Sequence, residues 1–148
     1  MKILQFKIEI KASPTTVWNA LWEIGNYEKW VHVFSEGSTA VSDWKEGSTI
    51  LFVDNDHQNG MYSIIDQLVP NKLMSFKHLG ILKNGQREPL NDETRKWSGI
   101  TENYILIALE DVTQLEVSMD IPEDFEAYFN QKFPQALEIV KKIAENNL

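Results

Sequence analysis

The sequence predicts an α+β fold in which an antiparallel β-sheet packs against one long C-terminal helix. Six apolar-rich segments follow one another with links that are too short for a crossover between parallel strands. The chain then closes with a stretch of helical periodicity that opens at Pro122. That helix would have about 25 residues and a length of roughly 37 Å, which is enough to cross a whole sheet.

A strand and a short helix are predicted at the start of the chain. Apolar and polar residues alternate strictly over residues 3–11, as in a strand with one buried face. Ser13 and Pro14 then supply a cap and a first-turn proline, and the helix is expected to end near Glu23. One further helical turn is expected within residues 27–31, before a loop.

The meander is predicted from period-two patterns bounded by glycine, asparagine and proline. Its six strands are expected at residues 39–44, 49–53, 61–69, 73–79, 102–109 and 114–121. Residues 80–99 show no periodicity and are predicted to be a loop; loops of this length are usually functional or disordered. We expect this loop to be mobile, with Trp97 as a lid.

The predicted C-terminal helix carries an apolar stripe and one unusual residue. The stripe comprises Phe125, Phe129, Phe133, Leu137, Val140 and Ala144. Pro134 lies in its middle, where it removes a hydrogen bond and costs roughly 3 kcal/mol. Either this proline bends the helix along a curved sheet and turns Phe133 inward, or it is tolerated on the outer face.

Composition excludes several classes of protein. The 148 residues are expected to form one domain spanning residues 1–148, and 43% of them are hydrophobic, which is sufficient for a core. A net charge of −8 without a basic cluster argues against nucleic-acid binding. No apolar run is long enough for membrane insertion. The chain lacks cysteine, and a cytoplasmic location is expected.

Few residues are candidates for a metal ligand, a polar ligand contact or a catalytic group. The histidines His32, His57 and His78 have no metal-ligand spacing, so neither a metal site nor another cofactor is predicted. His78 shares a strand face with Phe76 and is either a hydrogen-bonded core histidine or a polar anchor for a ligand. Glu102 either faces a cavity with a raised pKa or lies in water at a frayed strand start. No catalytic residue is predicted.

The order of elements and the residues that fill it resemble the START-like (SRPBCC) helix-grip superfamily. Within it, the sequence is most similar to the branch of homologues of the activator of the ninety-kilodalton heat-shock chaperone's ATPase. The matching pieces are Ala12-Ser13-Pro14-Thr15-Thr16-Val17-Trp18, Trp30, Gly60 before residues 61–68, Pro70-Asn71-Lys72-Leu73, Thr113 and Phe133-Pro134-Gln135-Ala136-Leu137. The resemblance implies a curved antiparallel sheet that grips the C-terminal helix around a cavity.

The resemblance also implies that the cavity binds a small apolar or aromatic, lipid-like ligand. The expected lining residues are Trp30, Phe34, Phe76, Trp97, Tyr104, Met119, Phe129 and Phe133, with His78 and Glu102 as polar contacts. Two alternatives remain open. The domain could be an interaction module that binds a chaperone through its acidic surface, or a cyclase or hydratase, as some relatives are.

Overall fold

The computed structural model describes residues 1–146, which form eight strands, four α-helices and one 3₁₀ turn. The strands are β1 Lys2–Ile10, β2 Thr39–Val41, β3 Thr49–Val53, β4 Gly60–Val69, β5 Leu73–Lys83, β6 Gln86–Arg87, β7 Ile100–Ala108 and β8 Thr113–Ile121. The helices are α1 Pro14–Trp22, α2 Ile24–Val31, α3 Asp92–Arg95 and α4 Glu126–Ala144, and the 3₁₀ turn Glu123–Phe125 precedes α4.

The strands form one antiparallel sheet in the order β1-β8-β7-β5-β4-β3-β2, and β6 pairs with the end of β5. The first and last strands are neighbours, with Lys2 opposite Ile121 and Ile10 opposite Thr113. Helix α4 packs against β1 and against α1 and α2. The α+β helix-grip fold is therefore confirmed, with a long C-terminal helix on an antiparallel sheet and short helices after the first strand.

The core forms where the apolar stripe of α4 meets the inner face of the sheet. Phe133, Leu137 and Val140 of the stripe are buried, as are Leu4 and Ile10 of β1. The C-terminal end of the helix is tied to β1, because the backbone N–H of Lys11 donates to Glu145 Oε2 at 2.7 Å. This contact fixes one end of the helix on the sheet.

The prediction of a long irregular loop over residues 80–99 is wrong. Strand β5 continues to Lys83 and returns as β6 from Gln86, so the two strands form a hairpin. Asn84 and Gly85 lie between them at φ 51° and 77°. Two consecutive positive φ angles are typical of a two-residue hairpin turn, for which Asn-Gly is a favoured pair. Helix α3 then occupies part of the remainder.

Two further predicted boundaries differ. The strand expected over residues 39–44 ends at Val41, because Ser42 Oγ donates to the Thr49 carbonyl and Trp44 has a positive φ of 60°. The second helix begins at Ile24, so it has two turns rather than one.

The C-terminal helix is also shorter than predicted. Helix α4 starts at Glu126, because the 3₁₀ turn occupies the first residues after Pro122. The helix has 19 residues instead of about 25. Phe125, assigned to the buried stripe, is 51% exposed. Within residues 1–146, no helix is long and apolar enough to cross a membrane.

Candidate functional site

A cavity of about 570 Å³ lies between the sheet, α2 and the N-terminal half of α4. The ten side chains expected from the sequence all line it: Trp30, Phe34, Phe76, His78, Trp97, Glu102, Tyr104, Met119, Phe129 and Phe133. They come from α2 and the segment after it, β5, the segment after α3, β7, β8 and α4. The structure thus brings them together, and their role in binding a ligand stays a prediction.

The register of the strands explains why distant residues share this wall. Glu102 of β7 lies opposite both Phe76 of β5 and Met119 of β8. Cross-strand partners point to the same face of a sheet, and the next inward position along each strand is two residues away. His78 and Tyr104 are therefore on this inner face as well.

One end of the cavity is built around the indole of Trp22. Its ring centroid lies 4.9 Å from that of Tyr104, 5.5 Å from that of Phe76 and 6.1 Å from that of Trp30, all edge-on. Edge-to-face pairs of this kind are favourable beyond the area they bury. Trp22 and Tyr27 also line the cavity, but sequence reasoning did not assign them to the site. Tyr27 could have been found, because it lies one helical turn before Trp30.

Two tryptophans of this end differ in hydrogen bonding. The indole N–H of Trp30 donates to the carbonyl of Leu21 at 2.9 Å. The indole N–H of Trp22 is buried and has no hydrogen-bond partner within residues 1–146. An unsatisfied buried donor of this kind costs roughly 1–3 kcal/mol.

The other end of the cavity is a cluster of phenylalanines where α4 meets the segment after α2. The ring of Phe34 lies 4.9 Å from that of Phe133 and 6.1 Å from that of Phe129. Phe133 also stacks on Phe6 of β1 at 5.1 Å. The exposed Phe125 borders the cavity on this side and marks part of its mouth.

A hydrogen-bonded chain of polar side chains crosses the inner face between these aromatic groups. Ser63 Oγ lies 2.7 Å from His78 Nδ1, and His78 Nε2 lies 2.9 Å from Glu102 Oε1. The hydroxyl of Tyr104 donates to the second carboxylate oxygen, Glu102 Oε2. Ser63 is fully buried behind His78 and does not line the cavity. Its contact therefore orients the imidazole ring rather than meeting a ligand.

The hydrogen bonds of this group of side chains keep Glu102 ionised. Burial raises the pKa of this carboxyl, but the hydrogen bond and charge of His78 and the hydrogen bond from Tyr104 outweigh burial, so its pKa lies below the usual range. An ionised carboxylate only accepts hydrogen bonds, so His78 Nε2 carries the proton. When the imidazole is neutral, Nδ1 accepts from the hydroxyl of Ser63.

Both expectations for Glu102 are wrong in part. The residue is the third of β7 rather than a frayed strand start, and its side chain is 22% exposed. The raised pKa expected for an inward-facing carboxylate is wrong, because His78 lies within hydrogen-bond distance. Burial and then the charge of Glu102 raise the pKa of Tyr104 and Tyr27, so both phenols stay protonated at neutral pH.

The segment that carries Trp97 is hydrogen-bonded to the middle of β5. The backbone N–H of Gly99 donates to the His78 carbonyl at 2.7 Å, and Ser98 Oγ donates to the Leu79 carbonyl at 2.6 Å. The preceding helix α3 has a reciprocal cap between Asn91 and Thr94. Trp97 is half-buried at the cavity wall, and its action as a lid stays a prediction.

Fold and cavity together define a helix-grip domain, and comparison with known proteins assigns its family. The chain belongs to the family described as Activator of Hsp90 ATPase homolog 1-like protein, which matches residues 11–145. No curated protein sequence matches the chain. Within the part that the structure describes, no group of three or more histidine, cysteine, aspartate or glutamate side chains could hold a metal ion.

Three solved structures illustrate the similarity. The Aha1 dimer from Colwellia psychrerythraea is 24% identical, with a TM-score of 0.73 over 99% of this chain and 98% of that one. ChR145 from Cytophaga hutchinsonii is 24% identical, with a TM-score of 0.69 over 99% and 95%. CalU16 from Micromonospora echinospora is 15% identical, with a TM-score of 0.66 over 96% and 75%. At these identities the similarity establishes the fold alone.

Proposed function

We propose that this domain binds a small apolar or aromatic, lipid-like molecule in the cavity between the sheet and α4. The observation that carries the proposal is a cavity of about 570 Å³. Its walls are mostly apolar, and one group of hydrogen-bonded polar side chains lies on the inner face. Pockets for small molecules typically have volumes of roughly 300–1,000 Å³ and a few fixed polar groups. The ten lining residues named above are the proposed contacts.

The helix-grip architecture supports this proposal, because α4 covers the cavity with only one of its two halves. Helix α4 is fixed to β1 at its C-terminal end, whereas the cavity lies under its N-terminal half. Phe129 and Phe133 face the sheet there but leave space between the two layers. Apolar surface of this kind is poorly solvated, so a ligand of matching shape gains roughly 25 cal/mol for each Å² it buries.

The proposal is tested by filling the cavity. We expect apolar fluorophores to bind the native domain and to shift backbone amide NMR signals of α4 and of the strands that line the cavity. Val31→Trp places a large ring at the cavity wall and should weaken binding, whereas the same change at the exposed Val41 of β2 should not. Shifts confined to scattered surface amides would contradict the proposal. Mass spectrometry of molecules released from protein purified from its native host would identify the ligand.

A second candidate function is interaction with a chaperone. The observation that favours it is the family itself, whose description names an activator of the Hsp90 ATPase. The net charge of −8 offers an acidic surface for such a contact. Stimulation of the ATPase of the host's Hsp90-type chaperone by the native domain, and equally by Val31→Trp, would support this role and separate it from ligand binding.

The third role that the resemblance implied, a cyclase or hydratase, has less support from the geometry. Glu102 is ionised, which removes it as a proton donor, and its lowered pKa makes the carboxylate a weak base. The hydroxyl of Ser63 is buried and does not line the cavity. Turnover of a candidate substrate that disappears in Glu102→Gln would nevertheless establish an enzymatic role.

A further inference from the structure

The ionisable groups around the cavity restrict the kind of ligand that it can bind. Three lining residues carry charged or chargeable groups other than phenols: His78, Glu102 and Asp120. Asp120 is in phase with the half-buried outer positions Ser118 and Glu116 of β8, whereas the buried positions of that strand face inward. Side chains alternate across a strand, so the carboxylate of Asp120 points to the opposite face. Glu102 is thus the carboxylate that faces the cavity.

No lysine or arginine lines the cavity within residues 1–146. His78 lies within hydrogen-bond distance of the carboxylate, and its Nδ1 faces Ser63, so both ring nitrogens are already engaged by the protein. An anionic group on a ligand would therefore leave water, meet an ionised carboxylate and find no free cation. Burying an unpaired charge beside a like charge is strongly unfavourable.

The carboxylate nevertheless has capacity for another hydrogen bond. Each carboxylate oxygen has two acceptor positions. Glu102 Oε1 uses one for His78 and Oε2 uses one for Tyr104, and the side chain is 22% exposed. A ligand group that donates a hydrogen bond could occupy a remaining position. Hydrogen bonds to an ionised acceptor are roughly twice as strong as bonds between neutral groups.

We propose that the cavity selects apolar molecules whose polar end donates a hydrogen bond to Glu102, and that it excludes molecules whose polar end is an anion. This inference rests on the proposed ligand-binding function and names the chemical class of its ligand. A hydroxyl and an ammonium group share the required donor chemistry. Fatty acids and other apolar carboxylates fall outside the class.

Three probes with the same biphenyl body test the inference. These are para-phenylphenol, para-phenylbenzylamine and para-phenylbenzoate, which near neutral pH present a hydroxyl, an ammonium and a carboxylate. Titration calorimetry on the native protein should show that at least one of the hydroxyl and ammonium probes binds about tenfold more tightly than the carboxylate probe. The comparison between the first two probes distinguishes an alcohol-type ligand from an amine-type ligand.

Two variants locate the selectivity. Glu102→Gln keeps the shape of the side chain but removes its charge, and should bring the affinities for the hydroxyl and carboxylate probes to within about threefold. Glu116→Gln removes the same charge from the outer face of the neighbouring strand, where Glu116 pairs with Lys7 at 3.5 Å, and should keep the native preference. The ratio of affinities is measured on the native protein alone, so the test remains valid even if Glu102→Gln unfolds.

The outcomes separate the two proposals. Equal or tighter binding of para-phenylbenzoate by the native protein would overturn the charge selectivity while leaving the cavity as a binding site. Failure of all three probes, together with failure of apolar fluorophores, would overturn the binding function and with it this inference. Native preference retained in Glu102→Gln would show that another group sets the selectivity, which also contradicts the inference.

Discussion

The ring of Tyr62 lies directly over Gly80, its partner on the neighbouring strand. A β-carbon built on Gly80 would be 2.4 Å from the Tyr62 hydroxyl oxygen and 2.5 Å from Cζ, closer than atoms can pack. Arg87 of β6 covers the same ring, with its guanidinium carbon 4.8 Å from the ring centroid. The glycine therefore provides space for an aromatic side chain that links β4, β5 and β6.

Gly80→Ala should lower the free energy of unfolding by about 1–3 kcal/mol, because the Tyr62 ring must leave its position. Urea denaturation measures the loss. Adding Tyr62→Ala should reduce the effect of the Gly80 change, since the clash is gone. Gly25→Ala in α2 is the matched control, because nothing lies within 4 Å of its β-carbon, and a helical alanine should stabilise by roughly 0.5–1 kcal/mol. A Gly80→Ala variant as stable as the native protein would contradict this account.

The ionisation of Glu102 predicts a pH dependence of stability. Its pKa in the folded protein lies below the unfolded value of about 4.3, so its contribution to stability is present above that pH and is lost as the pH falls through the folded pKa. Urea denaturation at a series of pH values should show Glu102→Gln less stable than the native protein at neutral pH. The gap should narrow in acid, and a constant gap would rule out this linkage.

Trp22 and Trp30 provide a matched pair that tests hydrogen bonding in the aromatic wall. Trp30→Phe removes the donor to the Leu21 carbonyl, whereas Trp22→Phe removes an indole N–H that has no partner within residues 1–146. Both residues are buried, and phenylalanine keeps an aromatic ring at each position. We expect Trp22→Phe to be less destabilising than Trp30→Phe by about 1 kcal/mol in thermal or urea unfolding. The reverse order would mean that packing dominates.

Replacing Pro134 distinguishes the two interpretations of this proline. Helix α4 continues through Pro134, which is exposed, while the preceding Phe133 is buried at the cavity wall. We expect Pro134→Ala to weaken ligand binding without raising stability, because a straightened helix would move Phe133 away from the cavity wall and unpack from the sheet. Thermal melts and one ligand titration measure both effects, with Glu138→Ala on the same helix as control. A stabilised variant that binds normally would show that the proline is only tolerated.

Much of the sheet could be predicted from the sequence, because apolar and polar residues alternate over residues 4–10 of β1 and 114–121 of β8. The hairpin of β5 and β6 was missed although Asn84-Gly85 is a strong turn signal, because the strand after it has only two residues. A strand that short has no periodicity to detect.

The site was predictable as a set of aromatic residues, but its polar chemistry was not. The contact between His78 and Glu102 joins residues 24 positions apart and depends on the pairing of β5 with β7. The hydrogen bond from Ser63 depends in addition on the bulged register of β4 against β5. Neither register can be obtained from local patterns, so the direction of the pKa shift of Glu102 could not be derived from the sequence.

The pairing of the first strand with the last has a consequence for biosynthesis. Strand β1 lies at the sheet edge with β8 as its neighbour, and the partner of Lys2 is Ile121. At about 5–20 residues per second, the ribosome needs on the order of ten seconds to make the chain between these strands. Throughout that interval the edge of β1 that pairs with β8 has unpaired backbone hydrogen-bonding groups. An unpaired strand edge is a template for pairing with other chains, so the nascent chain is prone to aggregate through β1 until β8 has emerged.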